Sequence, residues 1–101
     1  MTLIDNNLDF IFALCRKYKV KTLSVFGSIL TDRFNDHSYV DMLVNFDTAN
    51  HEDWDYVSNF FEFQESLESL FGRKVDLVEE KALKNKFFIR NLNRTKKQIY
   101  G

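Results

Sequence analysis

The sequence predicts a small α/β domain of the α+β type: one mixed β-sheet flanked by helices, in the order αβαβαβα. Three observations predict it. Short runs rich in β-forming residues alternate with stretches of helical periodicity along 101 residues. That length holds a single domain, residues 1–101. The apolar fraction is 45%, with 11 Phe, so a real core can form. Each well-buried large side chain in it contributes roughly 1.5–3 kcal/mol.

The elements follow in order. Asp5 starts a helical pattern in which Leu8, Ile11, Phe12 and Cys15 fall at i, i+3, i+4 and i+7. Arg16, Lys17 and Lys19 occupy its last turns, where cations complement the helix dipole. Thr22–Phe26 reads as a strand that ends at Gly27-Ser28. Ile29–Asp36 reads as a short helix and a turn. Tyr39–Phe46 is a second strand with two faces. Val40, Met42, Val44 and Phe46 are wholly apolar and should meet the core, whereas Tyr39, Asp41, Leu43 and Asn45 make the other face. Residues 47–52 form a polar loop.

Asp53 is the expected N-cap of a long helix, and Gly72 stands where a C′ residue belongs. Its expected buried stripe is Val57, Phe60, Phe61, Gln64, Leu67 and Phe71. Phe63 falls off that stripe and is expected to be partly exposed, as a protein contact. Lys74–Val78 is a third strand, with Asp76 opposite Val75 and Leu77. Residues 80–95 read as a helix anchored by Phe87, Phe88, Ile89 and Leu92, and Ile99-Tyr100 as a short closing strand or an extended tail.

Composition excludes several classes. No apolar run approaches the ~20 residues that cross a bilayer. Asp5 and Asp9 precede any basic n-region, so the N-terminus does not read as a signal peptide. One cysteine, Cys15, forms no internal disulfide. Together these predict a cytoplasmic protein with no membrane contact. Net charge is −1 but uneven: residues 81–101 hold 7 basic side chains and no acid, leaving −8 on residues 1–80. Either the last helix packs on an acidic body, or it meets a polyanion or an acidic partner.

Three features carry chemistry. Gly27-Ser28 directly follows a strand, and free N–H groups there suit a phosphate, with the Ser28 hydroxyl adding a donor. Asp41 and Asp76 each interrupt an apolar strand, where a carboxylate is costly without a partner. Two strand carboxylates beside a phosphate cradle match the needs of a magnesium–nucleotide site, because Mg²⁺ uses one or two carboxylates plus substrate phosphates. On the residues alone, ordinary edge carboxylates are the favoured reading. His37 and His51 share no metal-ligand spacing with Cys15, which reads as core. Trp54 reads as a packing residue.

The run FGS at 26–28, S-x-x-D-M-L-V at 38–44 and GRKVDLV at 72–78 resembles the minimal nucleotidyltransferase family, small members of the DNA polymerase β-like nucleotidyltransferase superfamily. The resemblance covers nearly the whole chain. It implies the nucleotidyltransferase fold. It also implies transfer of a nucleoside monophosphate from a nucleoside triphosphate such as ATP to a hydroxyl, with two Mg²⁺ ions. Many members pair, as antitoxins, with a helical partner of the HEPN type, and some adenylylate that partner. Carried over, Gly27 and Ser28 match the pair that holds the triphosphate. Asp41 matches the second aspartate of a D-x-D motif, and Asp76 the third aspartate.

Two departures stand at the centre. Tyr39 occupies the position of the first metal-binding aspartate, and Ile29, Leu30 and Thr31 fill the stretch where an Arg usually follows Gly-Ser; the nearest Arg is Arg33. A phenol with pKa about 10 stays neutral at pH 7 and does not replace a carboxylate's charge. The resemblance therefore implies a degenerate member with a partial metal site, Asp41 and Asp76, acting by binding a HEPN-type partner. The alternative is an active Mg²⁺-dependent enzyme that moves AMP or another NMP to a protein or small hydroxyl acceptor, with Asp36 or Asp47 as replacement carboxylate. Nucleic-acid binding through the basic helix is disfavoured by the near-zero net charge. Self-association stays open.

Overall fold

The computed structural model describes residues 2–48 and 55–101. His51, Asp53 and Trp54 lie outside the described residues. Helix α1 (Thr2–Asp5) and helix α2 (Leu8–Lys17) replace the single N-terminal helix expected. The break falls at Asn6-Asn7, where the Asn7 side chain donates back to the Leu3 carbonyl (2.8 Å). Ile11 and Cys15 of α2 are fully buried. Burial pushes the Cys15 thiol up to about 12, so it is an inert core group.

Strand β1 (Val20–Phe26) runs into a 3-10 turn (Gly27–Leu30), which begins two residues before the short helix and turn expected over Ile29–Asp36. Strand β2 (Val40–Phe46), helix α3 (Tyr56–Phe71), strand β3 (Val75–Glu79), a second 3-10 turn (Glu80–Ala82), helix α4 (Lys86–Thr95) and strand β4 (Lys97–Tyr100) complete the order. The four-stranded sheet has the order β3-β2-β1-β4. β1 pairs antiparallel with β2 and β4, and β2 pairs parallel with β3. The sheet is mixed, as the element order predicts, and the closing strand is present.

The expected core face of β2 is buried throughout: Val40, Met42, Val44 and Phe46 all join the main cluster. They meet Ile11, Cys15, Phe63, Leu67 and Phe71 from α2 and α3 in that cluster. Leu43 is also buried, on the Asp41 face.

Helix α3 corrects the predicted stripe. Val57 and Phe61 are 63% and 54% exposed, while Asn59, Phe63, Leu67 and Phe71 are buried. The reason is Asn59. Its side-chain amide donates to the Tyr18 carbonyl (2.8 Å), so a polar residue lies inside the true apolar face and hides it from a hydrophobicity pattern. Phe63 is fully buried and is no surface contact. The helix starts at Asp55, whose carboxylate accepts from the Ser58 N–H (3.1 Å) and hydroxyl (2.7 Å). It ends at Gly72, with φ +67. From its outer turns, Gln64 donates to the Val75 carbonyl and Glu68 accepts from the Val75 N–H (both 3.0 Å). These two bonds occupy edge groups of β3 that another strand would otherwise pair with.

A polar knot ties the far end of the sheet. Asn45 donates to the Thr22 hydroxyl (3.0 Å) and to Glu80, which also accepts from Lys96. The Lys96 ammonium holds the Glu80 carboxyl below the usual range; burial opposes it, and the Asn45 amide adds a smaller lowering effect.

Candidate nucleotide and metal site

The site is built on the Asp41 face of the sheet. Opposite residues in a ladder share a face, and the register pairs Asp41 with Phe26 on one side and Asp76 on the other. β1 therefore delivers its last residue, and the Gly27 turn that follows, directly beside Asp41. Gly27 has φ +75, and a β-carbon there would overlap the Asp41 carboxylate. Only glycine permits this close approach. Ser28 follows within the turn, and its carbonyl is fixed by the Thr31 N–H (2.9 Å) and hydroxyl (2.8 Å).

Asp41 is half-buried and Asp76 exposed. Burial raises the Asp41 carboxyl above its ordinary value, and the negative charge of Asp76 raises it further. Two carboxylates side by side at the Gly27 turn oppose each other, which marks a candidate ligand site. The donor set is two hard oxygen groups, and this fits one divalent cation completed by phosphate oxygens and water. Among the described residues, no third His, Cys, Asp or Glu side chain is gathered with them. Asp36 and Asp47 supply no third carboxylate.

Tyr39 lies just before β2 and is 58% exposed. It borders a hollow of about 530 Å³ with Phe61, Gln64, Lys74 and Asp76. Gly27 lines a separate, largely apolar hollow of about 610 Å³ with Phe26, Leu30, Phe88 and Leu92. The sequence singled out Gly27, Ser28, Asp41, Asp76 and Tyr39; the sheet register gathers Asp41, Asp76 and Gly27, and Tyr39 stands at the Asp76 side.

Sequence reasoning missed Arg73. Its guanidinium donates to the carbonyls of Asn35 (2.8 Å) and Ser38 (3.0 Å) and lies 4.6 Å from the Phe34 ring centre. It thereby fixes the loop that carries Tyr39. The only hint in the sequence was the basic pair after Gly72. Arg33 is exposed and His37 sits in the same loop, its backbone N–H bonded to the Asn35 side chain (2.8 Å).

The strained carboxylate makes a prediction. A group whose folded pKa is raised binds its proton more tightly when folded, so stability declines as pH rises from the ordinary carboxylate value through the raised one. Asp41→Asn removes that opposition. It should raise Tm near neutral pH by about a few degrees and abolish divalent-cation binding. Thermal melts with and without Mn²⁺ read both effects. An unchanged Mn²⁺-induced shift in the variant would remove Asp41 from the site.

Comparison with known proteins bears on the family and the fold. Residues 9–99 match the model of the nucleotidyltransferase domain family. A Methanocaldococcus jannaschii protein named as a protein adenylyltransferase is 39% identical over 79 residues, covering 78% of this chain and 76% of its own. The Thermococcus cleftensis protein adenylyltransferase MntA is 36% identical over 72 residues, covering 71% and 68%. Among solved structures, one described as a minimal nucleotidyltransferase superposes with a TM-score of 0.76 at 23% identity, covering 96% of this chain and 95% of that one. Another, an MNT antitoxin in complex with a tri-AMPylated HEPN toxin of Shewanella oneidensis, gives 0.64 at 21% identity, covering 96% and 71%. With the family model spanning nearly its full length, the chain belongs to the nucleotidyltransferase domain family, among the minimal nucleotidyltransferases.

Proposed function

We propose that this chain is a catalytically impaired minimal nucleotidyltransferase that works, as one domain, by binding a helical partner of the HEPN type in the manner of an antitoxin. The observation that carries the reading is the exposed phenol ring of Tyr39 where a third carboxylate would stand, beside the two described carboxylates Asp41 and Asp76. In this family a nucleoside triphosphate and divalent metal are the general requirement. Here Asp41 and Asp76 would hold one Mg²⁺, which when bound polarises phosphate oxygens. Gly27 and Ser28 would hold the triphosphate. A single cation stabilises less of the charge that develops in transfer, and each ~1.4 kcal/mol lost is tenfold in rate.

The partner assignment draws on the relatives. One solved structure that shares this fold is an MNT antitoxin bound to a HEPN toxin. Exposed Val57, Phe61 and Phe87 give this chain apolar surface for such a contact.

The relatives named for protein adenylylation favour a second reading, in which transfer survives. A hydroxyl oxygen of the acceptor would attack the α-phosphorus of ATP. The new P–O bond forms as the bond to the β-phosphate oxygen breaks, pyrophosphate leaves, and Asp76 takes the hydroxyl proton. Incubation with Mg²⁺ or Mn²⁺, labelled ATP and the partner separates the two. The expected result is a stable complex with no label above background. Label in the partner that disappears in Asp41→Ala would establish the second reading.

A further inference from the structure

Of the seven basic side chains in residues 81–101, Lys96 alone forms an ion pair among the described residues, with Glu80. The last helix therefore does not spend its charge on its own acidic body. Leu92 is the buried residue of α4. On the outward side, Phe87, Arg90 and Arg94 fall at i, i+3 and i+7 and share a face. Phe87 is 82% exposed. An aromatic ring followed along one helix face by two guanidinium groups has the composition of an interface hot spot, in which aromatic residues and Arg are enriched.

We propose that this face of α4 docks an acidic protein surface, with carboxylates meeting Arg90 and Arg94 around an apolar recess that takes Phe87. The inference rests on the partner-binding reading above and assigns where the partner sits and what chemistry it presents. The inner side of α4 places the contact beside the phosphate turn, because Phe88 and Leu92 line the same hollow as Gly27.

The observations favour this occupant over two others. A nucleic acid is an extended polyanion, and residues 1–80 carry a charge of −8 that repels it, whereas a discrete acidic patch meets only the helix. A second copy could offer the acidic outer side of α3. However, α3 packs on the Val40–Met42 face of the sheet while α4 borders Phe26 on the Asp41 face, so such a contact would propagate from copy to copy without closing a pair.

The test is the affinity of the HEPN-type partner for four proteins at low and high salt: wild type, Phe87→Ala, the double variant Arg90→Glu/Arg94→Glu, and Arg16→Glu as a charge change elsewhere. All sites changed are exposed, so folding is checked by unchanged melting. Phe87→Ala should weaken binding by about tenfold and the double variant by about a hundredfold, with flattened salt dependence, while Arg16→Glu stays within about twofold. Equal affinities throughout would overturn the docking face and leave partner binding intact. A wild type that binds no partner would overturn both. RNA binding, or salt-sensitive self-association, that is lost only in the double variant would also overturn the proposal.

Discussion

If the proposed impairment holds, replacing Tyr39 with aspartate should raise metal-dependent nucleotidyl transfer. The position immediately precedes β2, two residues from Asp41, and alternation along a strand puts 39 and 41 on the same face. A carboxylate there adds the negative charge that two carboxylates alone lack for a second cation. Recovering roughly 3–4 kcal/mol of transition-state stabilisation corresponds to a rise of about 10²–10³-fold in rate. The measurement is label transfer from ATP in Mn²⁺, compared between wild type and Tyr39→Asp at matched concentration. Tyr39→Asn is the control for ring size. It removes the bulk without supplying charge and should stay near wild type. If Asn and Asp rise equally, steric blockage by the phenol, not missing charge, is the defect.

Gly27→Ala should abolish ligand binding and also destabilise the fold. Its φ of +75 is a conformation that an L side chain resists by about 1–2 kcal/mol, and its β-carbon would displace the Asp41 carboxylate. Both effects act on the site directly. We expect loss of the Mn²⁺- and ATP-induced rise in Tm, together with a destabilisation of about 1–3 kcal/mol. Gly72→Ala serves as the comparison: its φ is also positive, at +67, but its β-carbon meets nothing within 4 Å. It should destabilise the chain while leaving the ligand-induced shift in place. Ligand binding retained in Gly27→Ala would show that the turn is not the phosphate cradle.

Much of the fold was legible because local signals agreed. The strict alternation of Val40, Met42, Val44 and Phe46 named the core face of β2, and Gly72 marked the end of α3. The face of α3 was misread because buried Asn59 interrupts its apolar stripe, while Val57 and Phe61 sit exposed at perfect helical spacing. Periodicity reports which residues could be buried together; the Tyr18 carbonyl that satisfies Asn59 lies 41 residues away and leaves no local trace. The split of α1 from α2 was likewise invisible to a hydrophobic pattern, because it turns on one side-chain bond from Asn7.

The candidate site divides the same way. Gly27, Asp41 and Asp76 could be named from the sequence, since a glycine after a strand and carboxylates within apolar strands violate local expectation. Their juxtaposition was implied only by the family resemblance and not by the residues' own spacing. It depends on the parallel register of Asp41 with Asp76 and the antiparallel register of Asp41 with Phe26. Arg73 escaped notice because its partners are backbone carbonyls 35 and 38 residues away, a role that any surface arginine could have.

The central claim concerns how many cations this centre can hold. A structure of the protein with Mg²⁺ and a non-hydrolysable ATP analogue decides it. The account predicts a single ion bridging Asp41, Asp76 and the triphosphate, with the phenol of Tyr39 unligated. Two fully coordinated ions, spaced for in-line transfer with an acceptor in reach, would contradict it.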